Sequence, residues 1–432
     1  RSAMEQGEKR DAPCCAMMRP MTFGNDRGTA AAPGAASVMA AMSGGVDSSV
    51  CALLLQQAGY AVRGATMVLR GGEVLGDAGK GEGSTCGSAR DVEDARAVCR
   101  RLGIPHDAFN LRDRFDAAVV NPFCGAYLEG RTPNPCIACN RFLKFEALQK
   151  RRRQLGLDYV ATGHYARRRW DEATGCWQLL RASDPAKDQS YVLYHLTQDT
   201  LAHMLFPLGE LTKDEVRELA RAHGFVTAEK PESQDICFVP DGDYTGFIEA
   251  WCRACRCEGE TLCTPLGLAG KGEPRSAPTE TGAKKTSVAT AFEPGEIVNR
   301  EGRVLGEHAG LIRYTIGQRK GIGVAAREPL YVLGKDAFAN QLIVGFKDEL
   351  LSSGVVACDV NLISGGVLEG PREVQVKTHY RQRPVPAVAE QTGPDELTVT
   401  FDEPQRAAAP GQAAVLYEGD IVLGGGTIVR AF

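Results

Sequence analysis

The residues with the clearest chemical potential fall in three short words. Ser43-Gly-Gly-Val-Asp-Ser-Ser49 sets two adjacent glycines among hydroxyls, directly after a small apolar run from Val38 to Met42. Glycines allow close approach of backbone to a ligand. The N–H groups of a strand-to-helix turn converge on one point, with the positive end of the helix dipole behind them. That arrangement suits an anion, foremost a phosphate. GRTPNPCIACNRFLKF (130–145) carries Cys136 and Cys139, and KPESQDICFVPDGDY (230–244) carries Cys237. A thiolate is both a nucleophile and a metal ligand, so these words suit covalent sulfur chemistry or metal binding. Any one cysteine alone is more often a small buried hydrophobe.

The elements that must position these words are legible from periodicity. Val38 to Met42 reads as a buried strand and Cys51 to Tyr60 as a helix, so Ser43 to Ser49 is the turn between them. AVRGATMVL, HDAFNL and DYVATGHYA read as strands, and DVEDARAVCRRLG and FLKFEALQKRRRQLG as helices. Strand and helix alternate over 37–206, which predicts a parallel sheet covered on both faces, with ligands at its carboxyl ends. LTKDEVRELARAHG is an amphipathic helix with Thr212 as N-cap and Gly224 as C-cap, opening a small helical linking domain over 207–251. Residues 252–292 are rich in Gly, Pro, Thr and Lys and read as a flexible insertion. Short β-like segments from 293 to 432 predict a small antiparallel barrel.

Composition sets bounds. The chain has 432 residues, enough for two or three domains, with 43% hydrophobic and 24% charged residues. No apolar run is long enough to span a membrane, and the expected location is cytoplasmic. The net charge of −4 does not mark a general nucleic-acid binder, though Lys150 to Arg153, Arg167 to Arg169 and Arg381-Gln-Arg383 form local basic clusters, each also readable as a solvated face. Fifteen cysteines, an odd number in a large chain, argue against a disulfide scaffold. Residues 1–36 lack periodicity and read as a disordered leader or the remnant of a transit peptide. Cys252, Cys255, Cys257 and Cys263 could hold zinc, but no second ligand pair follows. The ordinary phosphate loop ending in Gly-Lys-Ser/Thr is absent, and the near-dinucleotide word at Gly321 is followed by Pro329 rather than a helix.

Ser-Gly-Gly-Val-Asp-Ser resembles the pyrophosphate loop (PP-loop) of the ATP pyrophosphatases, which cut ATP between the α and β phosphates. With GRTPNPCIACN, ATGHYARR, KDQSYVLY, KPESQDICF, YTIGQRKGIG and PGQAAVLYEGDIVLGGG, the chain resembles the tRNA-specific 2-thiouridylases, the MnmA family, over about 36–251 and 293–432. That resemblance implies a PP-loop α/β domain of the adenine-nucleotide α-hydrolase-like kind, a small helical central domain and a C-terminal barrel. It implies ATP and Mg2+, with adenylation of the C2 oxygen of the wobble uridine and sulfur transfer from a cysteine persulfide. Partners would be tRNA and a sulfur-donor protein such as a cysteine desulfurase or relay.

Roles carry over by motif. Cys139 matches the nucleophile and Cys237 the persulfide carrier. Ala41, Met42, Ser43, Gly44, Gly45, Val46, Asp47, Ser48, Met67 and Gly163 would bind ATP, with Asp47 holding magnesium or ordering the loop. Asn134, Pro135 and Cys136 would face the target base. His164, Lys187, Asp188, Gln189, His379, Tyr380 and Gln412 would touch tRNA. Two positions depart from the best-known members: Cys136 replaces an Asp, and His379 an Arg. A third thiol opens an alternative in which Cys136, Cys139 and Cys237 ligate a [4Fe–4S] cluster that binds sulfide. Other ligases with the same loop, and a non-catalytic tRNA-binding protein, fit the cysteine words less well.

Overall fold

The computed structural model describes residues 36–69, 87–231, 236–239, 241–257 and 290–432. Calls on the leader, and on most of the 252–292 insertion including Cys263, lie outside them. The first strand, β1 (Ser37–Ala41), is central: Val38, Met39 and Ala40 are fully buried, and an apolar side chain such as Met39 contributes roughly 2 kcal/mol by leaving water. Next come α1 (Val46–Gln57), β2 (Ala61–Val68), α2 (Ala89–Leu102) and β3 (His106–Asn110). Ser88 and Asp91 form a reciprocal capping box on α2. After α3 (Asn121–Leu128), one continuous helical run holds α4 (Pro135–Cys139), a π-helical stretch (Asn140–Ala147) and α5 (Leu148–Gln154). The chain then enters β4 (Tyr159–Ala161).

DYVATGHYA is not one strand. It breaks at Thr162 to Tyr165, because its next segment, β5 (Ala166–Asp171), pairs with β6 (Cys176–Arg181) in a different sheet. With β7 (Met204–Leu205) the first sheet is complete, in order β3-β2-β1-β4-β7 and parallel throughout. The strand order reverses between β1 and β4, so the crevice outside their carboxyl ends is the switch point of the sheet. Both the glycine turn and Thr162 to His164 open there.

The helix α6 (Lys213–Ala222) is capped by Thr212 through a capping box, with Gly224 in the left-handed region just beyond its end. Val216 and Ala220 join the core under α1 rather than a separate one. The helix α7 (Tyr244–Cys257) packs on a second core with α3. It carries Cys252 and Cys255 into that core, so ordered helix continues past the expected start of the insertion.

The β region from 293 is two bodies, not one. The first contains β8 (Gly295–Val298), β9 (Val304–His308), β10 (Tyr331–Asp336) and β11 (Gln341–Gly345), in order β10-β11-β8-β9 with β11 and β8 parallel. Between β9 and β10 the word at Gly321 is loop without a helix, as expected. The second contains β12 (Leu351–Leu362), β13 (Arg372–Lys377), β14 (Val385–Gly393), β15 (Glu396–Arg406), β16 (Ala413–Glu418) and β17 (Ile421–Ala431). Pairing of β12 with both β15 and β17 closes these six into an antiparallel barrel. β17 also pairs with β6, so the hairpin β5–β6 is attached to the barrel.

Candidate active site

The helix α1 begins at Val46, three residues before the expected end of the turn, so Asp47, Ser48 and Ser49 sit in its first turn. Gly45 is its N-cap and offers no side chain, which leaves the first-turn amides without a side-chain acceptor from that residue. Gly44 has φ +73°, and a Cβ there would lie 2.5 Å from the Asp91 carbonyl oxygen, so only glycine fits. The Ser43 N–H donates to Ser48 Oγ at 3.1 Å, and Ser49 Oγ donates to the Gly45 carbonyl at 2.9 Å. Gly163, across the switch point, has no room for a Cβ: it would stand 2.9 Å from the Asp47 carbonyl carbon and the Ser48 nitrogen. Ala41 closes β1, and Met42 is buried.

Two lysines that sequence reasoning missed fix this turn. Lys213 Nζ donates to both Asp47 oxygens at 2.7 and 2.9 Å, and the Tyr165 hydroxyl donates to Asp47 Oδ1 at 2.8 Å. Asp47 is therefore held as a loop-ordering carboxylate. Lys230 donates to the Gly44 carbonyl at 3.0 Å, Asp91 Oδ1 at 2.7 Å and Asp94 Oδ2 at 2.7 Å. Burial pulls the Lys230 pKa down, but the two carboxylates outweigh it and the net shift is upward. Lys230 opens the KPESQDICF word, the only signal that could have pointed to it. Asp47, Asp91 and Asp94 are all engaged by lysines, so these carboxylates do not fit a protein-held magnesium.

The Asn134 side chain accepts from the Cys136 N–H at 3.1 Å and so caps α4, whose N1 residue is the buried Pro135. Cys136 is exposed, while Cys139 and Cys237 are half-buried. Cys139 and Cys237 pack against the same apolar cluster, which includes Phe115, Phe123 and Phe238, and Met67 from β2 packs there too. Asn140 is buried and donates to the Val192 carbonyl at 3.1 Å, tying the π-helical start to the KDQSYVLY turn. Among the described residues no three His, Cys, Asp or Glu side chains gather into a metal-holding group.

The residues expected to touch tRNA divide. His164 is buried, bonded to Thr162 Oγ1 at 2.8 Å and tilted over Phe145, so it faces the interior. Burial, then Lys144, hold its pKa well below the usual histidine range. Asp188 is buried and accepts from the Ala182 N–H and from Ser190 N–H and Oγ. Gln189 accepts from the Tyr165 N–H at 2.9 Å, and Lys187 is half-buried. Gln412 donates to the Thr132 carbonyl at 2.8 Å. His379, Tyr380, Arg381 and Arg383 are exposed together at the β13–β14 turn. Desolvation, then Lys377, lower the His379 pKa, so it presents a neutral ring where an Arg would present a charge. Two members of the basic clusters are structural: Arg152 is buried on Gln149 and the Leu157 carbonyl, and Arg168 is buried over Trp177 at 4.3 Å.

A parallel sheet with a glycine-built turn at its switch point, and a cysteine-bearing helix beside it, defines an α/β domain of the HUP class. Family models agree: residues 36–241 match a tRNA methyl transferase HUP domain, 287–346 a tRNA methyl transferase PRC-barrel domain and 352–428 an aminomethyltransferase β-barrel domain. The chain is 46% identical to the tRNA-specific 2-thiouridylase MnmA of Carboxydothermus hydrogenoformans over 92% of its length and 98% of the relative. It is 46% identical to that of Solibacter usitatus over 90% and 98%, and 44% identical to that of Koribacter versatilis over 91% and 98%. The chain belongs to the tRNA-specific 2-thiouridylase MnmA family. No described helix is long and apolar enough to cross a membrane.

Proposed function

We propose that this chain carries out ATP-dependent 2-thiolation of the wobble uridine of tRNA. The uridine O2 forms a bond to the α-phosphorus of ATP, and pyrophosphate leaves. The first-turn amides of α1 and the Ser43 and Ser48 hydroxyls receive the departing charge, and Gly163 lets the nucleotide lie flat against the turn. Mg2+ enters with ATP as its counter-ion. A sulfur-donor protein loads Cys237 as a persulfide. The Cys139 thiolate attacks the Cys237 sulfur, forming the Cys139–Cys237 disulfide and releasing hydrosulfide. Hydrosulfide bonds to C2, the C2–O bond breaks, and AMP leaves. An external dithiol returns two electrons to the disulfide. Adenylation is needed because a urea-type carbonyl is a poor electrophile whose oxygen cannot otherwise depart.

The observation that carries this reading is the meeting of Cys139 and Cys237, distant in sequence, on one apolar cluster that also receives Met67 from the strand beside the glycine turn. The exposed His379, Tyr380, Arg381 and Arg383 support RNA contact by the barrel, and the target base must unstack to reach Asn134, Pro135 and Cys136. The test is mass spectrometry of tRNA incubated with protein, ATP, Mg2+ and a persulfide-loaded donor. Oxygen-to-sulfur exchange confined to the wobble uridine is expected. Thiolation by iron-loaded protein with inorganic sulfide, and none by iron-free protein with the persulfide donor, would replace the relay with the cluster route.

A further inference from the structure

The barrel touches the cysteine helix on both sides of its two cysteines. Upstream, the Thr132 N–H donates to the Pro410 carbonyl at 2.9 Å, and Gln412 Nε2 donates back to the Thr132 carbonyl at 2.8 Å. Between them Gly411 stands at φ +95°, where an added Cβ would lie 3.0 Å from the Thr132 carbonyl group and 3.2 Å from the Pro133 nitrogen. The turn is itself anchored, since the Gly411 N–H donates to the Ile428 carbonyl at 2.8 Å and the Ile428 N–H to the Gln412 carbonyl at 2.7 Å. Downstream, Asp359 of β12 pairs with Arg141, two residues past Cys139. Asp359 adopts φ +54°, an uncommon conformation for a non-glycine residue, and backbone strain of this kind concentrates at functional contacts. The middle β body also approaches this segment, with Lys335 Nζ over the Tyr127 ring at 5.6 Å and so close to Gly130 that an added Cβ there would lie 3.2 Å from Lys335 Cβ.

We propose that the C-terminal barrel is a positioning device for Cys139, with Gln412 and Asp359 as positioning residues that act through Thr132 and Arg141. Residues 133–140, with both cysteines, lie between the two holds. RNA seated on the barrel thereby adjusts the geometry of the sulfur-handling helix, a consequence that rests on the proposed function. The holds themselves exist without RNA.

The test uses full-length protein without tRNA. Iodoacetamide labelling of Cys139, followed by peptide mass mapping across pH, is compared for wild type, Gln412→Ala and Asp359→Asn, alongside melting temperature, and pyrophosphate release is read separately with ATP and tRNA added. Both variants are expected to label Cys139 at least threefold faster, and Asp359→Asn is expected to keep pyrophosphate release within twofold of wild type. In the thiolation assay of Asp359→Asn, kcat falls while KM for tRNA is unchanged. Wild-type labelling in both variants, with a raised KM for Gln412→Ala, would overturn the proposal and leave Gln412 as an RNA contact. If Gln412→Ala melts early, Asp359→Asn, which keeps shape and removes charge, decides alone. Labelling does not depend on the reaction, so a wild-type protein that fails to thiolate tRNA would sink the proposed function without deciding this point.

Discussion

Replacing Lys230 with Met keeps the length of the side chain and removes three charge-assisted hydrogen bonds. The Asp91 side chain is 2% exposed, so its charge cannot return to water, although Ser88 still donates to it through N–H and Oγ. Asp94 is 26% exposed and rehydrates, so its share is small. Removing one partner of a fully buried pair costs about 3–5 kcal/mol, and the remaining Ser88 bonds and solvent reduce that here to about 2–3 kcal/mol. With a urea slope of about 2–3 kcal/mol/M for a domain of this size, the unfolding midpoint moves down by about 1 M. Because the folded pKa of Lys230 is raised, its contribution is complete below the unfolded value near about 10.4 and disappears as pH rises through the folded value. Neutral assays therefore see the whole effect, and the gap between variant and wild type narrows in alkali. The lost hold on the Gly44 carbonyl also loosens the turn, and ATP-dependent pyrophosphate release is expected to fall about tenfold, equivalent to about 1.4 kcal/mol. A Lys230→Met protein with the wild-type urea midpoint and undiminished pyrophosphate release would refute this reasoning.

Other outcomes follow from the same geometry. Cys139→Ser and Cys237→Ser should each abolish thiolated product while pyrophosphate release persists, as read by mass spectrometry and a phosphate-coupled assay. Gly163→Ala should reduce ATP binding at least tenfold by calorimetry, since its Cβ meets backbone of the turn 2.9 Å away and neither side can yield cheaply. The folded-state pKa of His164 is depressed, so the unfolded chain takes up its proton first; stability should fall as pH drops below about 6.5, by at most about 1.4 kcal/mol per pH unit. His164→Gln should flatten that slope in urea titrations. Excision of 252–292 as a block should lower the melting temperature by several degrees, because Cys252, Cys255 and Ala291 are buried.

The sequence made the parallel sheet, the glycine turn and the two cysteine words readable because each rests on local signals: period, capping residues and special backbone needs. Cys51 to Tyr60 announced α1, but its start at Val46 was hidden, since Gly45 caps without a side chain. Lys213 and Lys230 were invisible because their partners, Asp47, Asp91 and Asp94, are far away in sequence and only the fold joins them. His164 and Asp188 looked like surface contacts by motif, yet their hydrogen bonds turn them inward. The division of the β region escaped notice for a related reason: the strands of both bodies share one local pattern, and only pairing partners separate them.

The hairpin β5–β6 has a consequence for how this molecule can be taken apart. Leu179 and Leu180 pair with Val422 and Ile421, the Arg181 N–H donates to the Asp420 carbonyl at 2.8 Å, and Arg167 reaches the Asp420 carboxylate at 2.9 Å. A ribosome releases that hairpin long before the strand it joins exists, so one edge waits uncovered until the last residues emerge. The barrel, for its part, is not a detachable cassette. Exchanging it with that of a relative requires residues 166–181 to travel with it, and a graft cut at 351 would leave two raw edges facing each other.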